Sequence, residues 1–393
     1  MSEIKVNSIK GVAASTAAIT VNNTDGTCTA NITSNGGGQL SNRNLIINGA
    51  MEVAQRGTSS TTVGYQTVDR FTTSMAGTDE AVTFAQVDVA SGTSAYTQGF
   101  RKAFKLTNGN QTSGAGAADD VSVSQYIESQ NIAQSGWDYT SSSSFITLSF
   151  WVKSSVAQTF FCGIRLYGSD QREVCFSYTL SADTWTKVTK SIPGAAGLTI
   201  LNDNTLGAFI QWPQFWGTNY TSSGRTVDTW QVKNNASNYP DYTSTWYTTN
   251  DATWELTGVQ LEVGSVATDF EHRSFGQELA LCQRYYFRLE NDASTTCHLG
   301  TMQYYGGNSF FGFLMNLPVE MRAIPTATLS GSGKAWKASG NANGTFASLV
   351  LNKNSKTSLA TNGSSTSLSD GSAGNATVIT LLQSSYIEAS AEL

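Results

Sequence analysis

Apolar and polar residues trade places one for one through long stretches of this chain. The alternation runs through FITLSFWVKSS (Phe145–Ser155), TFFCGIRLYG (Thr159–Gly168), REVCFSYTL (Arg172–Leu180) and TWTKVTKSI (Thr184–Ile192). A period of two belongs to strands with one buried face, and the Gly, Asn and Ser between the runs supply turns. Adjacent antiparallel strands are therefore predicted. With Gly168-Ser169 as a two-residue hairpin turn, Cys162 would face Cys175; the pair is read as two reduced thiols packing as small apolar side chains, with a cross-strand disulfide as the alternative. One segment has helical spacing instead. In QELALCQRYYF (Gln277–Phe287), Leu279, Cys282 and Tyr286 or Tyr285 share a face, and the second half passes into strand.

Three segments follow. Residues 1–40 hold short strand-like phrases (IKVNSI, AAITVNN, CTANIT) and end in SNGGGQLSN, which reads as an attachment segment and linker. The alternation in Ile4–Ile9 and Ala18–Val21 suggests strands completed by a partner chain. Residues 41–275 make one all-β unit long enough for a two-sheet sandwich. Residues 276–393 make a second β unit with hairpins through the Ser/Gly/Asn-rich zone Ser330–Asn375, closing in strand-like SYIEASAEL. At 393 residues the chain exceeds what one hydrophobic core usually holds.

Charge narrows the functional classes. Lys+Arg number 23 against Asp+Glu 29, a net charge of −6 with no basic run, so nucleic acid is an unsuitable partner. No stretch of 18 apolar residues occurs, and MSEIKVNSIK lacks the order of a signal peptide, so neither membrane insertion nor Sec export is expected. Five cysteines without a CxxC pair indicate neither a disulfide scaffold nor a zinc knuckle. The glycine-rich NGNQTSGAG (Asn108–Gly116) lacks the following helix that phosphate binding needs, and SGSGKA (Ser330–Ala335) lacks the first glycine of a P-loop. No G-x-S-x-G elbow accompanies His272 or His298, and no spacing singles out a carboxylate pair for glycan hydrolysis. The chain reads as a non-enzyme, with a depolymerase as the weaker alternative.

Arg43–Gly57 (RNLIINGAMEVAQRG), Tyr65–Phe71 (YQTVDRF), Ser149–Ser155 (SFWVKSS), Trp185, Thr229–Gln231, Thr257–Tyr286 and Pro318–Thr326 (PVEMRAIPT) follow one another in an order that resembles the jelly-roll domain of bacteriophage tail fibres and tail proteins. The N-terminal MSEIKVNSI resembles the start of fibre proteins from marine phages. The resemblance covers roughly residues 43–326 and departs between Gln231 and Trp254, where the chain is longer and more aromatic. It implies a fold similar to carbohydrate-binding modules and a homotrimer. It further implies a place in the virion tail, docked through residues 1–40 on a tail adaptor or nozzle protein and adhering to host-surface glycan. A structural tail or baseplate component without a ligand is the alternative.

The densest chemical feature is aromatic. Trp212, Trp216, Tyr239, Tyr242 and Trp246 crowd among Asn, Ser and Thr and are the glycan-binding candidates, because sugars stack on flat rings and hydrogen-bond sideways to polar neighbours. Interchain packing is their other use. Trp230 and Trp254 are assigned to the core. Tyr304, Tyr305, Phe310, Phe311 and Phe313 suggest core or trimer contact, and Trp336 an exposed tip. Asp69-Arg70 could fix the sheet as an ion pair. Glu52, Glu262 and Asp269, beside Gln260, are the candidates for a structural calcium; the alternative is carboxylates that face solvent or pair with Arg56, Arg70 or Arg273. No other cofactor is expected.

Overall fold

The computed structural model describes residues 42–290, 315–328, 351, 354–360 and 386–393 with their side chains, and further strands by their backbone alone. Among the latter, β1 (Ser8–Ile9), β2 (Ile19–Val21) and β3 (Cys28–Ala30) form a three-stranded antiparallel sheet. Ser8–Ile9 and Ile19–Val21, parts of the strand-like phrases, pair with each other within the chain. The rest of the attachment segment lies outside the described residues, as do the side chains of Tyr304, Tyr305, Phe310, Phe311, Phe313 and Trp336.

Two six-stranded antiparallel sheets stack face to face as a jelly-roll β-sandwich. The first runs β14 (Gln231–Val232), β11 (Arg172–Leu180), β10 (Gln158–Leu166), β13 (Leu206–Trp216), β8 (Asp120–Glu128), β5 (Phe71–Ala76). The second runs β12 (Thr186–Pro193), β9 (Phe145–Ser154), β15 (Thr253–Val263), β7 (Lys102–Thr107), β6 (Thr83–Asp88), β4 (Ser59–Ser60). Short helices α1 (Ser94–Thr97), α2 (Ser129–Ala133) and α3 (Thr245–Thr248) cap the loops. In β9 the alternation sends Leu148, Phe150 and Val152 into the core and Ser149, Trp151 and Lys153 outward. Phe150 meets Tyr178 and Trp212 of the facing sheet edge-on, with ring centroids 5.4 and 5.7 Å apart. Full burial of one such phenylalanine contributes about 1.5–3 kcal/mol.

The β10–β11 register differs from the predicted one by a single residue. Cys162 faces Phe176 and Gly163 faces Cys175, because the turn is the longer Tyr167–Gln171 loop. A one-residue slip sends the two thiols to opposite faces: Cys162 packs between the sheets and Cys175 beneath Phe161 and Tyr239 on the outside. Both are free thiols.

After the sandwich, Ser274 caps α4 (Phe275–Gln283) in a reciprocal capping box with Gln277. The chain then becomes strand at β16 (Tyr286–Glu290), as the helix-then-strand reading of Gln277–Phe287 has it. β17 (Cys297–Gly306), β18 (Ser309–Asn316), β19 (Thr326–Ser330), β20 (Ala335–Ala338), β21 (Asn343–Thr345), β22 (Ser348–Leu351), β23 (Ser358–Ser364), β24 (Ala376–Leu381) and β25 (Tyr386–Ser390) complete the chain. Seven of them form one sheet, while β25 is the centre of a three-stranded sheet between β16 and β19. The terminal strand is therefore tied in on both edges.

The phrases that carry the resemblance meet at one buried joint. Asn48, in the left-handed region at φ 62°, donates to the carbonyls of Val53 and Asp69 (2.8 and 2.9 Å) and accepts from Val53 N, while its own N–H reaches Glu278 of α4. A side chain at Gly49 would strike the Val259 carbonyl. Asp69 and Arg70 do not pair with each other. Asp69 accepts from Gln55 N, whereas Arg70 stacks 3.5 Å over Tyr285, donates to Tyr126 O and pairs with Glu392 beyond β25. Both residues lie in the turn before β5, with Arg70 in the left-handed region at φ 70°, and their side chains leave in different directions. Arg284 grips Glu128 through two bonds of 2.8 and 2.9 Å, joined by the Tyr285 hydroxyl at 2.6 Å.

Candidate functional site

Two β-bulges decide which aromatics can meet a ligand. In β13 the register shifts between Pro213 and Phe215, so the face assignment changes along the strand. Simple alternation would put residues 212, 214 and 216 on one face. Instead Trp212 and Phe215 point into the core and only Trp216 remains half-buried on the outside. Trp246 is buried too, held at the start of α3 by its N–H to Gln158 (2.9 Å). Trp212 and Trp246 are core residues, which corrects their assignment to glycan binding.

Trp216, Tyr239 and Tyr242 do come together, around Phe161 on the outer face of the first sheet. Tyr239 occupies the space left by Gly163, where a Cβ would lie 2.5 Å from its hydroxyl, and donates to Gln211 at 3.1 Å. Tyr242 meets Phe161 edge-on at 4.9 Å and Trp216 meets Tyr239 at 5.3 Å. Burial holds both tyrosine hydroxyls well above their ordinary pKa. Arg165 reaches Asn238 (3.1 Å) and Arg225 reaches Glu173 (3.5 Å), so the 217–242 segment is fastened onto the sheet. These rings bind the chain's own loop, and Trp216, Tyr242 and Tyr220, the last 5.7 Å from Trp216, stay half-buried at the rim.

The metal candidates are similarly engaged. Glu262 accepts from Thr268 N and Oγ1 (2.8 and 2.6 Å) and from Gln260, and lies 3.6 Å from Arg43. Asp269 contributes its backbone carbonyl to Gln260. No group of three metal-ligating side chains occurs among the described residues. The calcium candidates Glu52, Glu262 and Asp269 therefore do not form such a group, and Glu262 is an arginine-neighboured structural carboxylate.

The second sheet carries a different feature on its outer face. In β15, Gly258 sits in the left-handed region at φ 61° within a bulge between Thr257 and Gln260. Its missing side chain admits the Phe100 ring, which would lie 2.4 Å from a Cβ there. Beside it opens a recess of about 260 Å³, close to the small end of ligand sites at roughly 300 Å³. Trp151 and Ser149 of β9 line it, with Lys187 of β12, Gln98 and Phe100 after α1, and Asp269, Phe270 and His272. His272 is placed by its Nε2, 3.0 Å from Gln98 O, and by rings of Phe270 and Phe100 at 4.9 and 5.4 Å. The side chains of Lys187, Asp269, Gln98 and Ser149 have no hydrogen-bond or ion-pair partner among the described residues. A half-buried indole with unengaged donors and acceptors around it is suited to a polyol ring. Neither Trp151 as a binding residue nor the recess was legible in the sequence; the strand alternation does mark Trp151 as outward-facing.

A larger cleft of about 870 Å³ lies between residues 42–47, α2, α4 and Val319–Glu320. Arg273 there donates to Asn44 O and Ile46 O, and Arg284 to Glu128, so these arginines serve the joint.

No family model matches the chain, and no curated protein does. Among solved structures it is similar to a putative sugar binding protein from Bacteroides thetaiotaomicron, at 12% identity over 56% of this chain and 99% of that one, with a TM-score of 0.29. It is also similar to the CBM22-1 xylan-binding domain from Paenibacillus barcinonensis, at 9% identity over 58% and 97% with a TM-score of 0.28. A third is the family 11 carbohydrate-binding module of a cellulosomal cellulase from Clostridium thermocellum, at 11% identity over 55% and 98% with a TM-score of 0.26. The strand order and pairing described above establish the fold independently of these scores.

Proposed function

We propose that this chain is a bacteriophage tail-fibre protein whose sandwich adheres to glycan on the host surface. In this reading residues 1–40 dock on a tail adaptor or nozzle protein, three chains make one fibre, and the protein resides in the virion tail. It binds glycan without cleaving it. The observation that carries the ligand reading is the Trp151 recess with its unengaged Lys187, Asp269, Gln98 and Ser149. The ordered signatures from Arg43 to Thr326 support the fibre reading, and the joint they build suits a part that bears load. Sites of this size are individually weak, and three linked copies would add roughly 10²–10⁴ in apparent affinity.

The test is adsorption of purified full-length protein to an array of bacterial surface glycans, with light scattering on the same sample. Specific binding and a mass near three times 42.0 kDa support the reading. The second reading, a structural tail component without a ligand, rests on Trp216, Tyr239 and Tyr242 packing against the chain itself; it gains if trimers form and no glycan is retained.

A further inference from the structure

The recess is walled on two sides only. Along β15, the segment from Thr268 to His272 is held upright by Thr268 N to Glu262 (2.8 Å) and Glu271 N to Gln260 (2.8 Å). Across one end, the α1 segment spans the sheet towards β12: Ser94 Oγ donates to Trp185 O at 3.4 Å, and Phe100 packs with Trp185 in one apolar cluster. The opposite side is β12, an edge strand whose only sheet partner among the described residues is β9. Its outward residues there, Lys187 and Thr189, are exposed.

Resting on the reading of the recess as a glycan site, we propose that it takes the terminal residue of a glycan, with the rest of the chain leaving over β12. A sugar seated on Trp151 has protein along β15 and at the α1 end. A second residue fits where a wall is missing, as it is above Lys187 and Thr189. An internal residue needs two exits in line, and the α1 segment together with Phe270 and His272 closes the one opposite β12. The site is thus a corner, and a groove that accommodates consecutive internal sugars is a different shape.

The experiment titrates the full-length protein with methyl glycosides of glucose, galactose, mannose and N-acetylglucosamine and with the corresponding linear di- to tetrasaccharides, in wild type, Trp151→Ala and Lys187→Ala. Lys187 is exposed, so its variant reports on the site even if the Trp151 variant folds poorly. The expected result is one series whose monosaccharide binds within about threefold of its tetrasaccharide, with both variants weakened about tenfold or more. Affinity that climbs about tenfold from disaccharide to tetrasaccharide, yet still falls in both variants, overturns the terminal-residue inference and leaves the recess as the site. Binding unchanged in both variants, or no binding in any series, overturns the recess reading and the inference with it.

Discussion

Trp151 of β9 and Lys187 of β12 face each other across one antiparallel pair, an indole beside an ammonium group with no ion-pair partner among the described residues. On the same outer face, Lys153 is occupied, 2.9 Å from Glu255. A lysine without an ion pair beside an open aromatic is suited to a polar ligand.

Gly258→Ala is expected to disturb the recess directly. The added methyl would meet the Phe100 ring, and φ 61° strains any L side chain. A loss of about 1–3 kcal/mol is expected, together with weakened glycan binding; chemical denaturation and sugar titration read the two effects. A variant as stable as wild type would show that Phe100 yields freely.

Glu392→Gln removes the charge facing Arg70, whose side chain is only 1% exposed. Breaking a buried pair from one side costs about 3–5 kcal/mol because the remaining charge stays desolvated. A urea midpoint unchanged by the substitution would mean that Tyr126 O and the Tyr285 ring suffice for Arg70.

Asp69 makes stability depend on pH. Burial pushes its carboxyl up to about 6, against the pull of Gln55 and Arg56. The unfolded value is about 3.9, so between these values the folded protein holds a proton that the unfolded chain releases. Its contribution therefore falls as pH rises from about 4 to 6 and above, by on the order of 2–3 kcal/mol. Glu128 runs the other way: burial raises its pKa, but hydrogen bonds from Arg284 and Tyr285 outweigh that and hold it low, so its contribution is lost as pH falls. Comparing wild type with Asp69→Asn isolates the Asp69 share. The difference in unfolding free energy should grow across that window, and a flat difference would contradict the assignment.

Most of the sandwich was legible because alternation is a direct record of which face is buried. The strands from Phe145 to Ile192, the helix-to-strand change after Gln277 and the terminal strand all follow from local pattern. Bulges break that record. One extra residue in β13 turned Phe215 inward and left Trp216 outside, and one glycine in β15 made room for Phe100; neither event has a signature in alternation. The Cys162–Cys175 register failed for a related reason, since a loop of five residues and a turn of two differ by the residue that reverses a face. Trp246 was hidden by its place on a single helical turn, where loop-like composition surrounds a core anchor. The recess draws on residues from five separated stretches, and only tertiary folding unites them.

The cysteines offer a further check. With the thiols on opposite faces, reducing agent should leave the melting temperature unchanged, and thiol reagents should modify Cys162 only on unfolding. A reductant-sensitive melt would require the two residues to share a face.

The central claim is that glycan binds at Trp151 and not at the aromatic cluster on the other sheet. The decisive measurement compares Trp151→Ala with Trp216→Ala for retention on the same glycan surface, each checked by circular dichroism for folding. Loss of about tenfold or more for Trp151→Ala with near-normal retention for Trp216→Ala is the predicted result. Normal retention for folded Trp151→Ala, with loss for Trp216→Ala, would contradict the account and return the site to the first sheet.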